Sequence, residues 1–77
     1  MPHVIVKLYA GKSEAQKARI ADEVTRAVMA STGCGEQAVS VTVEDVDPKD
    51  WVETVYKPDI VGGADRLYKK PGYDPLR

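Results

Sequence analysis

The stretch His3-Val4-Ile5-Val6-Lys7-Leu8-Tyr9 decides the architecture. Val4, Ile5, Val6 and Leu8 make a nearly continuous, largely β-branched run, the pattern of a strand covered on both faces in a parallel sheet. Ala10-Gly11-Lys12 breaks it, and Ser13-Glu14-Ala15-Gln16 follows as a capping box. There the serine hydroxyl accepts from the Gln16 amide while the glutamine side chain reaches back. The helix beyond carries Ile20, Ala21, Val24, Ala27, Val28 and Ser31 on one face, with Lys17, Arg19, Asp22, Glu23 and Arg26 largely elsewhere. Gly33 supplies a left-handed stop. Val39-Ser40-Val41-Thr42-Val43-Glu44 then alternates as a second strand, with Val39, Val41 and Val43 toward the helix. Strand, capped helix and strand within about 45 residues form a βαβ unit, whose crossover makes the strands parallel and the connection right-handed.

The expected fold is therefore α+β: one β-α-β unit plus a short C-terminal helix, in a single domain spanning residues 1–77. Asp47 caps the third element and Pro48 takes its first position. Asp50, Trp51, Val52, Val55 and Tyr56 predict a short helix that ends before Pro58. Pro58 to Gly63 reads as a turn or irregular segment, Ala64 to Lys70 as one or two helical turns, and Pro71-Gly72-Tyr73 as a turn closing on a frayed end.

Seventy-seven residues permit only a thin core. A chain of this size buries only about 60% of its unfolded surface and usually needs disulfides, a metal or a partner subunit. Cys34 is the single cysteine and His3 the single histidine, which excludes an intrachain disulfide and a zinc site. Cys34 itself reads as an incidental loop thiol. Oligomerisation is the remaining remedy. One helix covers one sheet face, so the face with Ser40, Thr42, His3, Ile5 and Lys7 must meet a neighbouring protomer.

Net charge −1 and a pI of about 5.7 give no pull toward nucleic acid or an anionic membrane. Lys69-Lys70 with Arg66 is a local basic cluster and reads as a solvated surface. The apolar runs fall far short of the roughly 20 residues that span a bilayer, and no signal segment is evident. A cytoplasmic protein is expected.

Met1-Pro2 brings in chemistry. Initiator methionine is commonly trimmed before a small residue, which leaves Pro2 as a free secondary amine. The adjoining strand holds it against fraying and the ring removes φ freedom. A fixed amine that titrates near neutrality takes and returns protons.

The Met1-Pro2 strand, the segment Gly11-Lys12-Ser13-Glu14-Ala15-Gln16-Lys17 opening a helix, and the valine-rich second strand resemble the 4-oxalocrotonate tautomerase family of the tautomerase superfamily. Pro48-x-x-Trp51 and Tyr68-Lys69-Lys70-Pro71-Gly72-Tyr73 resemble its short PptA-type members. The resemblance implies a β-α-β protomer that dimerises into one continuous sheet, with hexamers in some members; the tail favours the dimer. It also implies an isomerase without cofactor or metal, in which the amino-terminal proline moves a proton between the enol oxygen and a carbon of a small 2-keto acid. Pro2 stands at that position.

An ordinary α-amino group titrates at about 7.7–8.0, and a proline amine higher, so a base at pH 7 needs apolar surroundings or a nearby cation. Lys12 is the candidate cation and Trp51 the candidate apolar wall; the alternatives are a solvated residue and a core or interface anchor. Lys12 stands where many family members place an arginine, and Ser40 where the type member has one. A lysine lacks the forked grip on a carboxylate. The expected substrate is thus a monocarboxylate with an apolar or aromatic tail, such as the enol of phenylpyruvate, bound by Lys12, Trp51 and Ser40. Tyr9 and Tyr56 line the site or serve packing. Glu44, Asp45, Glu53 and Arg66 match water-activating residues of dehalogenase and hydratase relatives in type only. A non-catalytic small-carboxylate binding module is the alternative from another class.

Overall fold

A computed structural model describes residues 1–77. Strand β1 (His3–Tyr9), helix α1 (Glu14–Thr32), a 3₁₀ turn at Glu36–Ala38 and strand β2 (Ser40–Val46) come first. A 3₁₀ turn at Pro48–Asp50, a π-helical segment Val52–Val61 and a 3₁₀ turn at Ala64–Arg66 follow. The chain divides into two compact units, Met1–Val46 and Asp47–Arg77. No helix is long and apolar enough to cross a membrane.

In the first unit β1 and β2 pair in parallel, from His3 opposite Ser40 to Tyr9 opposite Val46. The Ala10 amide extends the ladder by donating to the Val46 carbonyl at 2.8 Å. Alternation puts Val4, Val6 and Leu8 of β1 beside Val41 and Val43 of β2, all half-buried, and α1 packs against β2. The other face carries His3, Ile5, Tyr9, Ser40, Thr42 and Glu44, all exposed. Ile5 is 53% and Tyr9 52% exposed, so β1 is covered on one face only within the chain, where its apolar run predicts cover on both. The single helix reaches only one side.

The helix boundaries follow local chemistry. Ser13 Oγ accepts from the Gln16 amide at 3.1 Å, and Gln16 Oε1 accepts from the Ser13 amide at 2.9 Å. Each bond satisfies a donor that the helix start leaves unpaired. Gly33, at φ 79°, ends the helix and donates to the Met29 carbonyl at 2.9 Å.

The second unit opens as its sequence predicts. The Asp47 carboxylate accepts from the Lys49 amide at 3.0 Å, with Pro48 in the first position. The helix does not end before Pro58, however; π winding carries it through the proline to Val61. In an α-helix the Pro58 ring would strike the carbonyl of Thr54, four residues back. Bonding five back widens the turn, as between the Gly62 amide and the Lys57 carbonyl at 2.8 Å. The glycine pair that follows answers to space. A Cβ on Gly62 would sit 2.6 Å from the Pro58 carbonyl oxygen, and one on Gly63 2.5 Å from that of Asp59. Beyond them, Ala64–Arg66 is one short turn and stops well before Lys70. The buried hydrophobic residues, Val55 and Tyr56, both lie in this unit.

Candidate functional site

Pro2 is half-buried at the head of β1. Its carbonyl accepts from the Ser40 amide at 3.1 Å, one rung ahead of the strand. Proline has no amide hydrogen to give a ladder, so the residue is fixed through its carbonyl while its nitrogen leads outward to Met1, which is wholly exposed. Joined to Met1, that nitrogen is an amide without useful basicity. Removal of Met1 makes it an amine at the same place.

Ser40 adds a second link at this end. Its hydroxyl oxygen lies 2.6 Å from His3 Nδ1, across the strand pair. Pro2, Ser40 and His3 therefore meet at one end of the sheet. Sequence reasoning named the first two and left His3 out, although its place beside the proline was a signal.

Lys12 lies elsewhere. It follows the far end of β1 and is exposed. Seven strand residues at about 3.3 Å each separate it from Pro2 of the same chain by roughly 20 Å. Tyr9 belongs to that far end as well. Beside it Lys17 is engaged, with its ammonium 2.8 Å from Asp45 and 2.9 Å from Glu14. Hydrogen bonding to Asp45 first, and to Glu14 next, raises its pKa above the ordinary lysine value.

Trp51 belongs to the second unit, half-buried, and its indole N–H donates to the Tyr73 hydroxyl at 3.0 Å. Tyr73 in turn packs against Tyr56, ring centroids 5.6 Å apart at 45°. An open cleft of ≈ 520 Å³ runs past Tyr56, Ile60, Leu67, Lys70, Pro71 and Tyr73. Removal from water, and then the nearby Asp74 carboxylate, push the Tyr56 phenol up from its ordinary value. The turn at Pro71 is thus tied down by Tyr73, where the sequence predicted fraying. The signal available was Trp51 itself, since a half-buried indole N–H needs an acceptor.

The acidic and basic residues considered for water activation are paired locally. Asp45 holds Lys17, Glu53 accepts from Lys57 at 2.7 Å, and Arg66 lies 3.5 Å from its neighbour Asp65. Glu44 stands opposite Lys7 in the sheet register.

Comparison with known proteins bears on this arrangement. A family model described as "Tautomerase enzyme" matches residues 2–55. The chain is 46% identical over 76 residues to a protein of Xylella fastidiosa named "Probable tautomerase", covering 99% of this chain and 93% of that one. It is 36% identical over 75 residues to tautomerase PptA of Cronobacter sakazakii, covering 96% and 99%. Among solved structures it resembles the 4-oxalocrotonate tautomerase isozymes from Methylibium petroleiphilum, with TM-score 0.63 and 32% identity over 65% of this chain and 81% of that one.

Proposed function

Because the chain belongs to the tautomerase family and is an enzyme of that type, we propose that Pro2, freed of Met1, is its acid–base group. The reaction is a cofactor-independent keto–enol isomerisation of a small monocarboxylic 2-keto acid, the enol of phenylpyruvate being the model substrate. The Pro2 amine takes the proton of the enol hydroxyl, and the oxygen's electron pair closes the carbonyl. As the carbonyl forms, the double-bond electrons move to the neighbouring carbon and take the proton back from the prolinium. One position thus serves as base and acid.

The observation that carries this reading is the Pro2 anchor. The Ser40 amide holds the Pro2 carbonyl at 3.1 Å, while the residue ahead of the nitrogen touches only solvent. A base gains its effect by being held in place.

The roughly 20 Å between Pro2 and Lys12 supports a reading in which the carboxylate-binding cation comes from a second copy. Two copies paired antiparallel along β1 set the Pro2 end of each against the Lys12 end of the other. A homodimer with a continuous sheet is the assembly in which Lys12 serves, each copy acting as a single domain in the cytoplasm. Lysine grips a carboxylate as a point charge, which suits a monocarboxylate.

The experiment is alkylation with bromopyruvate, after mass spectrometry has established that Met1 is absent. The adduct is expected on Pro2, with activity falling in step with labelling. Adduct confined to Cys34, or full activity in protein that retains Met1, overturns the mechanism in favour of a carboxylate-binding module.

A further inference from the structure

Ser40 is tied twice to the amino end. Its amide donates to the Pro2 carbonyl at 3.1 Å, and its hydroxyl oxygen is 2.6 Å from Nδ1 of His3. Both bonds converge on the two residues that carry and follow the amine, so the hydroxyl is fixed beside it. His3 and Ser40 are register partners on the open sheet face, and both are exposed to whatever approaches Pro2. His3 is the only histidine in the chain, and proton transfer by Pro2 leaves it without a task.

A serine hydroxyl has one hydrogen to donate and two lone pairs. With Nδ1 as acceptor, that hydrogen points into the ring and Ser40 offers a substrate only lone pairs. With Nδ1–H as donor, the hydrogen is released outward. Isomerisation of an enol acid builds negative charge on the substrate's C2 oxygen as its proton leaves, and only the second arrangement meets that charge with a donor. The 2.6 Å separation makes this a direct hydrogen bond, and the tautomer of the ring decides which partner donates.

We propose that His3 is a positioning residue of the tautomerase site, donating from Nδ1 to Ser40 so that the serine hydroxyl is turned toward the C2 oxygen of the enol acid. This rests on the Pro2 reading above and adds a specificity to it. A neutral donor stabilises an enolate oxygen without holding a second carboxylate, so the site takes monocarboxylic enol acids. The other charged groups on this face are Lys7 and Glu44, four residues along in register, at about 13 Å. Helix α1 packs against β2. Ser40 is therefore the group that governs the ring, and the ring governs Ser40.

The test uses the processed full-length protein. Because the histidine is unique, ¹⁵N NMR of its imidazole is unambiguous. Nδ1 is expected to carry a proton at the assay pH, with its signal shifting in Ser40→Ala. A ring protonated on Nε2 alone, with Nδ1 accepting, overturns the proposal. In kinetics with the enol of phenylpyruvate, His3→Leu and Ser40→Ala should each lower kcat about three- to tenfold with KM nearly unchanged. The double variant should be no worse than either single one. Losses that multiply, or a native kcat in Ser40→Ala, overturn it as well. Pro2→Ala run alongside separates the two readings. Full activity there removes the Pro2 mechanism, whereas the ring's protonation reports on the His3–Ser40 bond alone.

Discussion

Lys17, in the first turn of α1, donates to the Asp45 carboxylate near the end of β2 at 2.8 Å, across 28 residues of sequence. The lysine side chain is only 16% exposed, and Glu14 flanks it at 2.9 Å. The contact pins the start of the helix to the end of the sheet where Lys12 emerges.

The raised pKa of Lys17 fixes the sign of its pH dependence. The folded value lies above the ordinary 10.5, so the stabilisation is complete below that pH and is lost as pH rises through the folded value. Lys17→Met should lower the thermal midpoint at neutral pH, and the gap to the native protein should close in strongly alkaline buffer. Melting curves across a pH series check this. A gap that persists unchanged at the alkaline end removes the ion pair as its cause.

Gly63→Ala should destabilise the second unit by about 1–3 kcal/mol, the range for overpacking a tight site. The new methyl would lie 2.5 Å from the Asp59 carbonyl oxygen, so backbone must shift. Urea denaturation measures the loss. Gly72→Ala is the control, since nothing lies within 4 Å of a Cβ there, and it should stay near native.

Pro2→Ala should lower kcat by about a hundredfold or more, within the 10²–10⁴ that a positioned acid–base group supplies. The thermal midpoint should hardly move, because alanine keeps the carbonyl that Ser40 binds. A comparable fall in stability would mean the proline matters for the fold instead.

Lys12→Ala should raise KM for a monocarboxylic enol acid about tenfold, or about 1.4 kcal/mol of binding, with kcat little changed. If the lysine serves the second copy's proline, mixing Pro2→Ala chains with Lys12→Ala chains and reassembling them should restore activity. A mixed dimer then has one site with neither change. Mixtures in which no site recovers the native KM would place both residues in one chain's site, against the separation along β1.

Much of this was legible in residue order because it is local. The Ser13–Gln16 cap and the Gly33 stop are set by chemistry within four residues, and alternation in Val41, Thr42 and Val43 sorts the faces of β2. Contacts that depend on distant partners were not legible. A lysine in a first helical turn looks solvated until Asp45 arrives beside it. The π winding past Pro58 arises because a proline expected to end a helix can also be accommodated by widening one. Tyr73 looked like the start of a loose tail, and only the fold delivers it to Trp51, 22 residues away. Of the candidate site, Pro2 is singled out by its position alone, whereas the role proposed for His3 depends on a cross-strand bond that sequence does not display.

The Pro2 anchor carries a practical consequence for anyone preparing the protein. It runs through the carbonyl, and Met1 buries nothing, so whatever is fused ahead of Pro2 is invisible to the fold. On the proline mechanism, a purification tag at that end yields material that assembles and melts like the native enzyme, yet has no amine to work with. Such a preparation would pass every quality check except the assay, and its silence would be mistaken for the wrong substrate. Tags belong at the carboxyl end.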